Sequence, residues 1–361
     1  MKKKFINISP FELIGTKKID LLETTGSYDI DRYPWAYECW KRQQQTHWMG
    51  EEVPLASDIA DWKNLPENEV NLLTEIFRFF TQSDIEVSDN YIKRYMPIFQ
   101  ALEIQMMMAA FSNMETVHID AYSLLLKTLG MPKSEFNAFK NYASMRAKVD
   151  YMHQFGVKTC GDVARTLAMF GAFTEGMSLF ASFAMLLNFP RHNKMRGMGQ
   201  IISWSVRDES LHCEGMMKLF HEWNKQTGCV TKSVADDIID VAKTMVNLED
   251  AFIDLAFEMG NVPGMTAQDI KNYIRYICDW RLSQLKLQPI FGYFVKDGEH
   301  YRQLNPHPIP WLLDILNGVE HANFFEVRAT EYSKAATSGE WHGNTGAWSK
   351  FEKKIITQPF R

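Results

Sequence analysis

Two Glu-x-x-His pairs are the residues of this sequence best suited to bind a metal ion. They are Glu115 with His118 and Glu209 with His212, and the spacing occurs nowhere else in the 361 residues. Residues three apart lie on one face of a helix, so each pair can direct a carboxylate and an imidazole at one ion. Such a pair is also common on exposed helices, so the neighbouring residues decide its interpretation.

Both pairs lie on apolar stripes. Phe111 and Tyr122 share the helical face of the first pair, and Ile202, Ser205 and Met216 share that of the second. Ionisable groups on such a face cost several kcal/mol unless they are paired with opposite charges or bound to metal. The stripes therefore favour a buried metal site, and buried acids paired with Arg or Lys are the structural alternative.

Two more carboxylates lie on similar stripes. Asp84 ends the segment IFRFFTQSD, and Glu175 is the one charged residue of MFGAFTEGMSLFASF. Each precedes a Glu-x-x-His pair by one helical segment, so the chain repeats the same order of ligands twice. Four helices with these ligands match the di-iron or di-manganese carboxylate bundle. Four carboxylates and two imidazoles suit iron or manganese, and the sequence offers no thiolate set for zinc.

The elements that must position these residues are helices. From Pro66 to about Lys334 the apolar residues recur with a helical period, and Gly and Pro residues separate the segments. No Asn-Gly or Asp-Gly hairpin is predicted to join two alternating runs. The sequence predicts an all-α fold, a ferritin-like di-metal carboxylate helical bundle with additional helices. The predicted boundaries are an irregular lead-in at 1–65, the helical domain at 66–335 and a flexible tail at 336–361.

Composition narrows the classes of function. The formal net charge of −5 provides no basic surface for nucleic acid and no polybasic membrane signal. The longest apolar runs, such as Met106–Phe111, are too short to span a bilayer. The five cysteines are scattered and form no CxxC motif, which favours reduced thiols in a cytoplasmic protein.

With these residues located, the sequence resembles the radical-generating small (beta) subunit of class I ribonucleotide reductase. The resemblance runs from about residue 20 to residue 335 and depends on FFTQSD, METVHIDAYSLLL, FTEGMSLFASF and SWSVRDESLHCEG. It implies that Tyr122 is the radical tyrosine, formed with dioxygen. It also implies two iron ions per chain, with di-manganese or mixed centres as alternatives. The metal ligands that it implies are Asp84, Glu115, His118, Glu175, Glu209 and His212.

The resemblance further implies a relay from Tyr122 to a separate large (alpha) subunit. Asp208 matches the carboxylate that orients the ligand His118, Trp48 matches the relay tryptophan, and Tyr332 resembles the tyrosine that continues the relay. The family also implies a homodimer. No GxGxxG or GxxxxGK[ST] motif occurs, which agrees with a nucleotide site on the other subunit.

Two features depart from the family pattern. The chain ends in the basic segment KKIITQPFR, whereas family tails commonly end in acidic and apolar residues that dock on the large subunit. Leu179 and Ser205 occupy positions where bulkier apolar residues are frequent, and Ser205 could hold a water near the site. Two other functions remain as alternatives on the same bundle: a monooxygenase or ligand-binding oxidase, and an iron-storage protein.

Overall fold

The structure, a computed structural model, describes residues 19–28 and 30–316, apart from the side chains of residues 81 and 82. Within these residues there are ten α-helices with both ends described, a further helical stretch at 310–316, and two short strands. The helices are α1 (Pro34–Gln45), α2 (Ala56–Asn64), α3 (Glu67–Asn90), α4 (Leu102–Thr128), α5 (Ala143–Met152), α6 (Cys160–Leu167), α7 (Leu179–Arg191), α8 (Arg196–Thr227), α9 (Lys232–Ala256) and α10 (Ala267–Gln284). The strands are β1 (Phe294–Asp297) and β2 (His300–Gln303).

Four long helical units form the core that surrounds the candidate ligands. Helix α3 packs against α4, and α8 packs against α7 and against the π-helical segment Ala168–Ser178 that precedes α7. Helix α4 also contacts α8, which closes the bundle. Helices α9 and α10 pack beside this core as the additional helices. The all-α, ferritin-like fold predicted from the sequence is confirmed.

Helix α8 shows how the sequence sets the ends of a core helix. Its first turn is capped by the buried carboxylate of Asp58, which accepts hydrogen bonds from the backbone N–H groups of Gly197 (2.9 Å) and Met198 (2.7 Å). A carboxylate at this end satisfies free N–H groups and interacts favourably with the helix dipole. The helix ends at Gly228, whose φ of 66° is the left-handed conformation that glycine adopts without strain.

The helical run Cys160–Arg191 is the most apolar part of the bundle. It consists of α6, the π-helical segment and α7, and it has 32 residues. By length and composition it could cross a membrane, but its apolar window is 100% buried inside the protein, as in the core helix of a globular protein. In the sequence, Glu175 and the small residues around it divide this run into shorter apolar stretches. Its full length therefore becomes apparent only in the structure.

Two predictions about regular structure are wrong. The lead-in at 1–65 is not irregular throughout, because α1 and α2 form there. Helix α1 packs against α4 and α8 through Ala36, Cys39 and Gln43, a stripe too narrow and too polar to stand out in the sequence. A hairpin also forms between β1 and β2, with a two-residue turn that places Gly298 at a φ of 63°. The predicted tail at 336–361 lies outside the described residues.

Candidate metal centre

All six candidate ligands lie together in the core. The side chains are at most 2% exposed. Their ligand atoms form two groups, and within each group the atoms lie within 4.8 Å of one another. The first group consists of Glu115, Glu175, Glu209 and His212, and the second of Asp84, Glu115 and His118. Glu115 belongs to both groups, so its carboxylate would be a ligand in each.

The two histidines direct the same ring nitrogen at the cluster. Nδ1 of His118 lies 3.3 Å from Glu209 Oε1, and Nδ1 of His212 lies 3.1 Å from Glu115 Oε1. Ligands bound at about 2.1 Å to one ion lie about 3 Å apart. The separations in this cluster are therefore those of ligands around shared ions.

The second ring nitrogen of each histidine, Nε2, also makes a hydrogen bond. His118 donates from Nε2 to Asp208 Oδ2 at 3.3 Å, since a carboxylate can only accept. His212 donates from Nε2 to Gln43 Oε1 at 3.2 Å, and the amide of Gln43 in turn donates to Asp208 Oδ1 at 3.1 Å. These bonds fix the tautomer in which each Nδ1 lone pair faces the cluster, as metal-binding histidines require.

A π-helical segment presents Glu175. Wider helical turns of this kind are rare and occur often at functional sites. The hydroxyl of Thr174 donates to the carbonyl of Met169 at 3.1 Å, and the buried guanidinium of Arg281 donates from Nε to the carbonyl of Gly176 at 2.7 Å. Residue 176 must be glycine, because a Cβ there would lie 2.7 Å from Arg281 Nε. Arg281 therefore holds the backbone beside Glu175 in place.

Several carboxylate oxygens of the cluster lack partners among the described side chains. Both carboxylate oxygens of Glu115 and of Glu209 are buried without a hydrogen-bond partner. Burial raises the pKa of the Asp84 carboxyl well above its usual range, and the negative charge of Glu115 adds to this rise. Burial also raises the pKa of Glu175, to about 7. Buried acids without partners are costly, so the donor set and its free oxygen atoms fit a pair of divalent cations.

Tyr122 lies beside the second ligand group. It follows His118 by one turn of α4, and the two ring centroids are 6.3 Å apart. Its hydroxyl donates to Ser205 Oγ at 2.8 Å, and its ring packs on Phe80 with a centroid separation of 5.0 Å. The ring is only 7% exposed, so the phenol lies in an apolar pocket from which water is largely excluded.

Comparisons with known proteins agree with this geometry. A family model described as "Ribonucleotide reductase, small chain" matches residues 29–296. The probable ribonucleoside-diphosphate reductase small subunit 376L of Invertebrate iridescent virus 6 is 38% identical, over 92% of this chain and 99% of its own length. This chain belongs to the ribonucleotide reductase small chain family. The ribonucleoside-diphosphate reductase subunit beta of Chlamydia pneumoniae is 27% identical, over 92% of this chain and 96% of its own length.

Solved structures support the same fold for this ribonucleotide reductase small chain. The R2 subunit from Clostridium botulinum aligns with a TM-score of 0.73 and 19% identity, over 81% of this chain and 92% of that one. The dimanganese(II)-NrdF structure from Streptococcus sanguinis aligns with a TM-score of 0.68 and 19% identity, over 81% of this chain and 99% of that one. Neither the oxidase nor the iron-storage alternative is favoured by these relatives.

The structure describes two of the three residues that the sequence predicts for a relay. Trp48 donates from its indole N–H to Asp208 Oδ2 at 2.8 Å, which is the same oxygen that pairs with His118. The structure thus forms an unbroken series of contacts from the cluster to Trp48. Tyr332 lies outside the described residues, so its place in the small chain stays a prediction.

Two residues near the cluster were not found by the sequence reasoning. Gln43 lies in the segment predicted to be irregular, and nothing local links it to His212 or Asp208 far along the chain. Tyr91 donates from its hydroxyl to Glu175 Oε1 at 2.7 Å. Its spacing of seven residues after Asp84 places it on the same helical face, which is a signal that the sequence did contain.

Proposed function

We propose that this chain generates and stores a tyrosyl radical on Tyr122, for ribonucleotide reduction by a separate large subunit. The observation that carries the proposal is the position of Tyr122, buried one helical turn from His118 beside a cluster of four carboxylates and two histidines. Membership of the ribonucleotide reductase small chain family supports it. The product of the joint reaction would be deoxyribonucleotides.

The metal proposed for the cluster is iron, with two ions per chain. Carboxylate and imidazole ligands also suit manganese, and the NrdF relative is described as dimanganese(II), so di-manganese or mixed centres are the alternatives. Glu115 would help to hold the metal in both ligand groups, because it belongs to each of them. When bound, the ions would supply, with dioxygen, the oxidising equivalents for radical formation.

The contribution of the protein is to position and shield the phenol. Ser205 accepts the phenolic hydrogen bond of Tyr122 and itself donates to the carbonyl of Ile201 at 3.1 Å. Phe80 covers the phenol ring, and Phe183 packs edge-on against Phe80 with a centroid separation of 5.8 Å. A radical in such a pocket is kept from water and from external reductants.

The proposed exit path for the radical runs through Asp208 and Trp48. Asp208 accepts from both His118 and Trp48 on one oxygen, so a proton shift along these bonds can accompany electron transfer from the indole. The ring centroids of Trp48 and His118 are 6.0 Å apart. Tyr332 is proposed to continue this path to the large subunit.

The proposed assembly is a homodimer bound to the large subunit, in the cytoplasm. All five cysteines are free and none is paired in a disulfide, which suits a reducing compartment. Sedimentation analysis of the purified chain tests the dimer, because a mass of one chain at micromolar concentration would contradict it. Co-sedimentation with a purified large subunit tests the partner.

The deciding experiment is metal reconstitution with electron paramagnetic resonance detection. Anaerobic apoprotein is loaded with Fe(II), exposed to dioxygen and compared with Tyr122→Phe. Tyr273→Phe is the matched control, because Tyr273 is also buried but lies on α10 beside His307. A tyrosyl signal in the parent and control, absent from Tyr122→Phe, is expected. Absence of any radical with iron and with manganese, despite two bound ions per chain, would refute the proposal.

A further inference from the structure

A second tyrosine lies directly against the candidate ligands. Tyr91 begins the π-helical turn Tyr91–Tyr95 that follows α3, and its side chain is 1% exposed. Its hydroxyl donates to Glu175 Oε1 at 2.7 Å. Its ring meets that of His212 edge-on, with a centroid separation of 6.3 Å. Tyr91 therefore adjoins the ligand group that contains Glu175 and His212, whereas Tyr122 adjoins the group that contains His118.

The hydrogen-bond partners of the two phenols differ in a way that matters for oxidation. A phenol that loses an electron becomes a strong acid, so its oxidation is easier when a base can take the proton at the same time. Tyr91 donates to a carboxylate, which is a good proton acceptor, whereas Tyr122 donates to the hydroxyl of Ser205, which is a poor one. The hydrogen bond uses one oxygen of Glu175, and a carboxylate has a second oxygen and further lone pairs for an ion.

An aromatic column extends from this tyrosine to Trp223. The ring of Tyr95 lies 6.1 Å from that of Tyr91, Phe99 lies 6.3 Å further on, and Trp223 lies 5.6 Å from Phe99, all measured between centroids. The indole N–H of Trp223 donates to the backbone carbonyl of residue 160 at 3.1 Å. The thiol of Cys229, which is partly exposed, donates to the same carbonyl at 3.2 Å. Oxidisable groups thus lie at both ends of a continuous series of edge-on and tilted ring contacts.

We propose that Tyr91 is a second oxidisable residue of this centre, and that the column ending at Trp223 carries the oxidising equivalent away from the cluster. In this step the O–H bond of Tyr91 breaks, its proton passes to Glu175, and one electron passes to the oxidised centre, which is thereby reduced by one equivalent. Tyr91 is left as a neutral radical. It is then reduced by one electron drawn through the column and takes its proton back from Glu175, while Trp223 loses that electron and becomes a radical cation. The proposal rests on the proposed function, because that activity supplies the oxidant.

A plain structural role for Tyr91 makes different predictions. If the hydroxyl only holds Glu175 in position, Tyr91→Phe alters metal binding, but no radical signal depends on Tyr91. If Tyr91 is oxidised, it competes with Tyr122 and becomes visible when Tyr122 cannot react. The test therefore uses Tyr122→Phe as its background and reads a spectrum rather than an activity.

The experiment is rapid freeze-quench electron paramagnetic resonance of Fe(II)-loaded protein mixed with dioxygen. Three proteins are compared: Tyr122→Phe, Tyr122→Phe/Tyr91→Phe and the control Tyr122→Phe/Tyr273→Phe. We expect a transient signal in the first and third that narrows with ring-deuterated tyrosine, and its loss in the second. Incorporation of 3-fluorotyrosine at Tyr91 preserves the phenol and its hydrogen bond. It should add a fluorine splitting to that signal, so the test does not depend on how well Tyr91→Phe folds.

The outcomes separate this proposal from the proposed function. A signal on Tyr122 in the parent, with no signal in Tyr122→Phe that responds to fluorination or loss of Tyr91, overturns the present proposal and leaves the function intact. No radical in the parent with iron or manganese overturns both. For the column, Trp223→Phe in the Tyr122→Phe background should lengthen the lifetime of the Tyr91 radical severalfold, and an unchanged decay rate would overturn that part.

Discussion

Removal of the Ser205 hydroxyl tests how much its hydrogen bond with Tyr122 contributes to the free energy of unfolding. In Ser205→Ala, the phenolic O–H loses the acceptor that lies 2.8 Å away. The two side chains are 7% and 0% exposed, so water cannot readily replace the lost partner. A buried hydroxyl left without a partner costs about 1–3 kcal/mol. We expect the free energy of unfolding of the metal-free protein to fall by about that amount.

A double-mutant cycle isolates the hydrogen bond from other effects. Tyr122→Phe and Ser205→Ala each break the same bond, so the double variant should be less destabilised than the sum of the two single variants. The expected difference is about 0.5–1.5 kcal/mol, the usual net value of a neutral hydrogen bond. The assay is urea unfolding followed by circular dichroism, with the denaturant dependence compared to check that the transition stays cooperative.

The matched control is Ser203→Ala on the same helix. The hydroxyl of Ser203 donates to the carbonyl of Gly199 four residues earlier at 2.8 Å, as the hydroxyl of Ser205 donates to Ile201. The control therefore removes the same kind of helix contact, and its coupling with Tyr122→Phe should be close to zero. Equal coupling for Ser203 and Ser205 would refute a stabilising bond between Ser205 and Tyr122.

Three further predictions concern buried charge, a thiol and the metal site. Lys148→Met leaves the buried Glu249 carboxylate, 2.6 Å from Lys148 Nζ, without its partner. It should lower the free energy of unfolding by about 3–5 kcal/mol; a Lys148→Met/Glu249→Gln variant that is no more stable than Lys148→Met would contradict this. A hydrogen bond with the thiol of Cys160 lowers the pKa of Cys229 to about 7. The alkylation rate of Cys229 by iodoacetamide should therefore rise with pH to half its maximum near pH 7, and a midpoint near the ordinary thiol value would count against it. Because this pKa is lower in the folded state, the stabilisation by the thiolate is present above the unfolded-state pKa and is lost as pH falls through the folded-state value. Glu115→Gln should abolish the stabilisation by Mn(II), about 2.7 kcal/mol at a hundredfold excess over Kd; thermal unfolding that retains this gain would exclude Glu115 as a ligand.

The helices that carry the candidate ligands could be predicted because their apolar periodicity is strong. Helices α3, α4 and α8 each exceed twenty residues, and some of their ends coincide with Pro or Gly signals, such as Pro66 before α3 and Gly228 after α8. Helix α1 could not be predicted so easily, since its buried face consists of Ala36, Cys39 and Gln43. The β1–β2 hairpin could not be predicted so easily, because its turn is Gly298-Glu299 and the flanking strands are only four residues long and mostly exposed.

The candidate ligands could be predicted because a buried metal site would leave a local signature. Charged residues at helical spacing on apolar faces are rare, and the sequence has this pattern at Asp84, Glu115 and Glu209. The residues that pair with the ligands left no such signature. Gln43 is one of three consecutive glutamines, and Arg281 lies on α10 with nothing in its own segment to connect it to Gly176.

The sequence by itself determined which residues face the core and which of them could bind metal, because side-chain spacing along a helix depends on the helix alone. Only the tertiary structure decided which groups meet across helices. It brought Glu115 into both ligand groups, joined Trp48 and His118 through one oxygen of Asp208, and set Tyr91 against Glu175. It also decided the π-helical path of residues 168–178. The physical reason is that these contacts depend on the packing and rotation of whole helices, to which residues far apart in the chain all contribute.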